Sequence, residues 1–140
     1  MKYDDASWHT GGDFPSDLPP EAGATHIAFF VAWAVLNDLG STYHTQDAAE
    51  DLESLRLRAI TPGTWFIQAC DAKFTDEDLS EAGNAFALEY YKAENCYFLD
   101  YDEIFPSVPS LYHVEDNWMS FDAVEPTIRA RYEAFLNSKQ

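Results

Sequence analysis

Glu21-Ala22-Gly23-Ala24-Thr25-His26-Ile27-Ala28-Phe29-Phe30-Val31-Ala32-Trp33-Ala34-Val35-Leu36-Asn37-Asp38-Leu39-Gly40 sets the architecture of this chain. From Ile27 to Leu36 every residue is apolar, so no face of a helix drawn through the run is left for water. A helix apolar all round is a buried one. The run is far shorter than the ~20 residues a membrane span needs, which makes it the centre of a water-surrounded core. The expected helix runs from about Glu21 to Leu39 and stops at Gly40 as its C′ residue.

Helical signals continue downstream. Ala48, Leu52, Leu55 and Ala59 form a stripe over 46–59, with Asp47, Glu50 and Asp51 at its start and Arg56 and Arg58 at its end, as the helix dipole prefers. Thr61-Pro62 reads as N-cap and first-turn proline of a third helix carrying Phe66, Cys70 and Phe74. Thr75 with Asp78 resembles a capping box opening a fourth, striped by Leu79, Ala82, Gly83, Phe86 and Tyr90. Phe98, Tyr101 and Phe105 suit a short helix, although Leu99 to Asp102 alternates like a strand, and Leu111 to Val114 reads as extended. Asp122 and Glu125 form a second box, with Pro126 in the first turn of a last helix burying Val124, Ile128, Tyr132 and Phe135. Residues 1–20 carry Gly11-Gly12, Pro15 and Pro19-Pro20 and no apolar period. Tyr3, Trp8 and Phe14 make that segment an irregular arm laid on the core. The expectation is one mainly α domain over 1–140, of about five helices around a central buried one.

Composition narrows the partners. The 140 residues include 25 acidic and 8 basic side chains, a net charge of −17, which disfavours nucleic acid and anionic membranes. With 46% hydrophobic and 16% aromatic residues the chain has material for a core and is not an acidic disordered tail. Met1 to Asp5 lacks the basic and apolar parts of a signal peptide, and Cys70 and Cys96 have no paired spacing, so a cytoplasmic protein with reduced thiols is expected.

Two segments concentrate reactive side chains, Tyr3 to Asp13 and Tyr112 to Trp118. Each joins a histidine, His9 or His113, to carboxylates and a tryptophan, and His26 could join them around a divalent metal. No HExxH, facial-triad or EF-hand spacing fixes three ligands at one point, so neither a metal nor another cofactor is assigned. Capping and Asx-turns account for the same residues more simply, and Asp116 and Asn117 can cap a following helix. No Gly-x-Ser-x-Gly elbow or P-loop is present, and Cys70 reads as packing.

Charge distribution singles out one region. Between Lys92 and Arg129 there is no Lys or Arg, while eight acids are interleaved with Tyr97, Tyr101, Tyr112 and Trp118. Aromatic anchors among acids suit a basic protein partner. The candidate contact residues are Asp100, Tyr101, Asp102 and Glu103, then Tyr112, His113, Glu115 and Asp116, with Trp8 and His9 of the arm. A solvated acidic surface over inward-facing aromatics is the alternative.

Tyr3-Asp4-Asp5-Ala6-Ser7-Trp8-His9, Gly23-Ala24-Thr25-His26-Ile27, Lys73-Phe74-Thr75-Asp76-Glu77-Asp78-Leu79 and Leu111-Tyr112-His113-Val114-Glu115-Asp116 resemble a family of small acidic bacterial proteins of uncharacterised function. That resemblance brings no catalytic residues with it. In size and charge the chain is also similar to immunity proteins of bacterial toxin systems. The expectation is therefore a non-enzymatic protein that neutralises a cognate basic toxin in the cytoplasm by covering its active site. A metal-dependent enzyme using His9, His26 or His113, and an acidic adaptor or regulator, are the alternatives.

Overall fold

The computed structural model describes residues 1–139, and they are mainly α-helical. In chain order the elements are β1 (Lys2–Asp5), α1 (Ala6–Thr10), α2 (Thr25–Leu36), α3 (Ala49–Arg56), α4 (Pro62–Cys70), β2 (Lys73–Thr75), α5 (Glu81–Ala87), α6 (Cys96–Ile104) and α7 (Trp118–Ser138). Short 3₁₀ and π turns join them, π turns standing at Tyr43–Asp47 and Leu88–Lys92.

Helix α2 is the axis of the core. Every side chain from Thr25 to Val35 is buried, and α4, α3 and α7 pack around it. Phe30 is its hub, with ring centroids 5.1–6.1 Å from Phe74, Phe86, Tyr90, Tyr91 and Tyr97. No helix among the described residues is long and apolar enough to cross a membrane.

The α2 terminus differs from expectation. The helix ends at Leu36, Asn37 donates its side-chain amide to the Trp33 carbonyl, and Asp38 rather than Gly40 takes the left-handed turn with φ 63°. Gly40 instead bridges to Leu79. Arm residues 2–10 are regular rather than irregular. β1 pairs antiparallel with β2, Asp4 opposite Phe74 and Asp5 opposite Lys73, and the Asp5 carboxylate then caps α1 by accepting from Ser7 N–H. Phe74 consequently lies on a strand, because left-handed Asp71 (φ 55°) and Ala72 (φ 58°) stop α4 and turn the chain.

Thr61 caps α4 as its spacing predicts, and Thr75–Asp78 is a true capping box. That box opens only a 3₁₀ turn; Ser80 restarts the chain as the cap of α5. Residues 96–104 are helical, and Leu111–His113 is a 3₁₀ turn rather than extended. Helix α7 begins eight residues before Pro126, capped by Asn117, so the proline stands inside it. It survives there because Phe121, Val124 and Ile128 are buried on either side of the missing hydrogen bond.

Asp116 ties α4 to the chain ahead of α7. Its carboxylate accepts from Thr61 Oγ1 at 2.6 Å and Gly63 N–H at 2.8 Å. A Cβ on Gly63 would fall on that carboxylate. Gly63→Ala is therefore expected to destabilise the protein by about 1–3 kcal/mol through overpacking. Urea unfolding checks this, and an unchanged midpoint would contradict the contact.

Candidate functional site

Strand β1, helix α1 and the first turn of α2 deliver Asp4, His9 and His26 to one point. His9 Nε2 lies 2.8 Å from Asp4 Oδ1 and 3.3 Å from His26 Nε2, and His26 Nε2 lies 3.8 Å from Asp4 Oδ2. One ligand atom from each residue falls within 4.8 Å of the other two. His26 is wholly buried and Asp4 nearly so, while the His9 side chain keeps 18% of its exposure.

Two tyrosines orient the group. Tyr91 Oη donates to Asp4 Oδ2 at 2.6 Å, and Tyr112 Oη lies 2.7 Å from His9 Nδ1. Burial would raise the Asp4 carboxyl, but hydrogen bonds from His26, His9 and Tyr91 outweigh it and hold Asp4 well below the ordinary carboxylate range. Burial pushes the Tyr91 phenol far up, as does the neighbouring Asp4 charge, so it remains a donor. Burial also lowers the His26 imidazole, against the pull of Asp4 and with the help of His9. Burial thus favours the neutral form of His26.

His26 Nδ1 has no hydrogen-bond partner among the described residues. The two imidazole Nε2 atoms stand 3.3 Å apart, the spacing of ligands on a shared ion, while the 2.8 Å contact of His9 with Asp4 is a direct hydrogen bond that an ion would open. Ligands about 2.0–2.1 Å from a tetrahedral zinc lie about 3.3 Å apart. A pocket of about 230 Å³, lined by Tyr3, Asp4, His9, Tyr91, Lys92 and Phe98, borders the group and leaves one side open.

The other expected contact residues are dispersed. Asp100 and Tyr101 are buried, 6% and 1% exposed, and so are not offered to a partner; Asp102 and Glu103 are exposed. Asp100 accepts from Arg131 Nε and Nη2, each at 2.8 Å, and from Tyr90 Oη at 2.7 Å. Charge alone does not show that an acid is spoken for by an arginine one helix away. Trp8 is exposed, with Lys2 Nζ 5.5 Å above its ring. His113 lies between Ser110 Oγ and Asp17, outside the histidine cluster. Glu115 is exposed and accepts from Asn117, while Asp116 is engaged with α4. Tyr91 and Lys92, absent from the sequence candidates, carry no motif and are identified only by contact.

Burial alone would raise the Asp100 carboxyl, but its bonds from Arg131 and Tyr90 prevail and lower it. A lowered folded value stabilises fully above the unfolded carboxylate value of about 3.9, and the gain is lost as pH falls through the folded one. Asp100→Asn should therefore flatten the loss of stability below about pH 4. Acid-unfolding curves of equal slope for variant and wild type would contradict this.

No curated protein and no solved structure matches the chain. One family model, a domain of unknown function (DUF7832), matches residues 2–114, a span that holds Asp4, His9, His26, Tyr91 and Tyr112. The chain, with its buried histidine–aspartate group, belongs to that family.

Proposed function

We propose that this chain is a divalent-metal enzyme with Asp4, His9 and His26 as ligands, acting on a small anionic substrate. The observation that carries the proposal is the convergence of two imidazole Nε2 atoms, 3.3 Å apart, on a buried ionised carboxylate. Two histidines and one carboxylate with an open side suit a first-row divalent ion. Such an ion supplies a bound water acidic enough to act as hydroxide near neutral pH. Tyr91 holds Oδ2 of Asp4 and leaves Oδ1 toward the ion; with an ion bound, the proton of neutral His9 would sit on Nδ1 and be donated to Tyr112 Oη, leaving Nε2 to ligate. Lys92, exposed on the pocket wall, gives an anionic substrate its counter-charge.

Metal analysis of protein reconstituted with zinc or manganese tests the proposal. His9→Gln changes the least buried ligand and is expected to lose one equivalent relative to wild type. Tyr112→Phe should weaken binding about 10–100-fold, the usual cost of losing an outer partner. A His9→Gln protein that binds as much metal as wild type contradicts the assignment.

The acidic exterior supports a second reading, neutralisation of a basic toxin in the cytoplasm. Leu99, Asp102 and Glu103 are exposed on α6, and no Lys or Arg stands between residues 92 and 129. Low-salt affinity capture should then return one basic toxin domain near one-to-one, with association slowed by Asp102→Lys and Glu103→Lys. Association with that domain at an unchanged rate would remove α6 from the interface.

A further inference from the structure

A second group of ligating side chains lies apart from the first, on different elements. His44 stands in the π turn Tyr43–Asp47, Cys70 ends α4, and Asp78 ends the 3₁₀ turn after β2. His44 Nε2 is 2.9 Å from Asp78 Oδ1 and 3.8 Å from Cys70 Sγ, and one ligand atom of each falls within 4.8 Å of the other two. His44 is wholly buried, against Trp65 and Tyr43.

A histidine–aspartate hydrogen bond sets the short contact. The Cys70 thiol joins that pair, its Sγ 3.8 Å from His44 Nε2, so that three donors of different chemistry face one point. Asp78 is already oriented from behind, since its Oδ2 accepts from Thr75 N–H at 2.9 Å. A cavity of about 470 Å³ borders Cys70 and Asp78 and gives an ion a way in and a place for a water ligand.

We propose that Cys70, His44 and Asp78 form a zinc site. Sulfur, nitrogen and oxygen together are the donors of a borderline-soft ion. Ligands on a tetrahedral zinc lie about 3.3–3.7 Å apart, so the histidine–cysteine contact of 3.8 Å closes slightly. The histidine–aspartate contact opens by a few tenths of an ångström. As the metal–sulfur bond forms, the thiol proton leaves to solvent, and the remaining proton of neutral His44 sits on Nδ1. The site pins the π turn, the end of α4 and the turn after β2 to one another. It stands independently of Asp4, His9 and His26, a group that contains no sulfur.

Cobalt(II) titration under reducing conditions tests it. Wild type and the Cys96→Ser and His9→Gln variants should each develop a sulfur-to-cobalt charge-transfer band in the near ultraviolet. Cys70→Ser should lack that band. A wild-type protein without the band at excess cobalt, or a band that survives in Cys70→Ser, overturns the site. Alkylation of the unaltered protein, followed residue by residue by mass spectrometry, needs no variant to fold. Zinc should slow alkylation of Cys70 at least tenfold, and an unchanged Cys70 rate overturns the proposal.

Discussion

Phe30→Ala is expected to cost about 3–5 kcal/mol of stability, the range for removing a buried phenylalanine ring. Phe30 is fully buried at the middle of α2, with five aromatic rings around it. Those rings come from β2, α5, the π turn Leu88–Lys92 and α6, so no single neighbour can move in to fill the space. For a chain of this size the melting temperature should fall by roughly 10–15 °C. The loss also reaches the group of Asp4, His9 and His26, because Tyr91 packs on Phe30 and donates to Asp4. Denaturant unfolding measures it directly; a cost below about 1 kcal/mol would contradict the packing described.

Asp100→Lys has the next largest expected effect, about 3 kcal/mol or more. The Asp100 side chain is 8% exposed and holds Arg131 through two hydrogen bonds and Tyr90 through a third. Lysine there sets one cation against another and leaves Tyr90 Oη without its acceptor, and breaking a buried pair typically costs about 3–5 kcal/mol. Arg131 is half exposed, and its hydration keeps the figure at the low end. Asp102→Lys, two residues on, lies at the surface and should change stability by no more than about 0.5 kcal/mol. Equal unfolding midpoints for the two variants would contradict the burial of Asp100. A charge-reversal test of the acidic surface therefore belongs at Asp102 and Glu103, where it does not unfold the protein.

The residues of α2 declare themselves because a continuous apolar run has one explanation. Thr61-Pro62 and Thr75–Asp78 declare themselves because caps are local chemistry, completed within three or four residues. The β1–β2 ribbon does not, since its strands lie about seventy residues apart and Lys2-Tyr3-Asp4-Asp5 has no alternation. Two aspartates in a strand read as exposed, yet both are buried, Asp4 by His9 and Tyr91 and Asp5 by Lys2 and Ser7. Pro126 misleads for a related reason: tertiary packing around α7 overrides a local preference for the first turn. His9 and His26 are visible as candidates, but their distances from Asp4 along the chain follow no helical or strand spacing. Their meeting depends on how β1 docks against α2, which no short motif records.

Crystals grown with zinc and measured at the zinc absorption edge test the proposed metal centre most directly. An anomalous peak is expected about 2.0–2.2 Å from His9 Nε2, His26 Nε2 and an oxygen of Asp4. No peak at that point, with His9 still hydrogen-bonded directly to Asp4, would show that the group locks the N-terminal arm to the core and holds no ion.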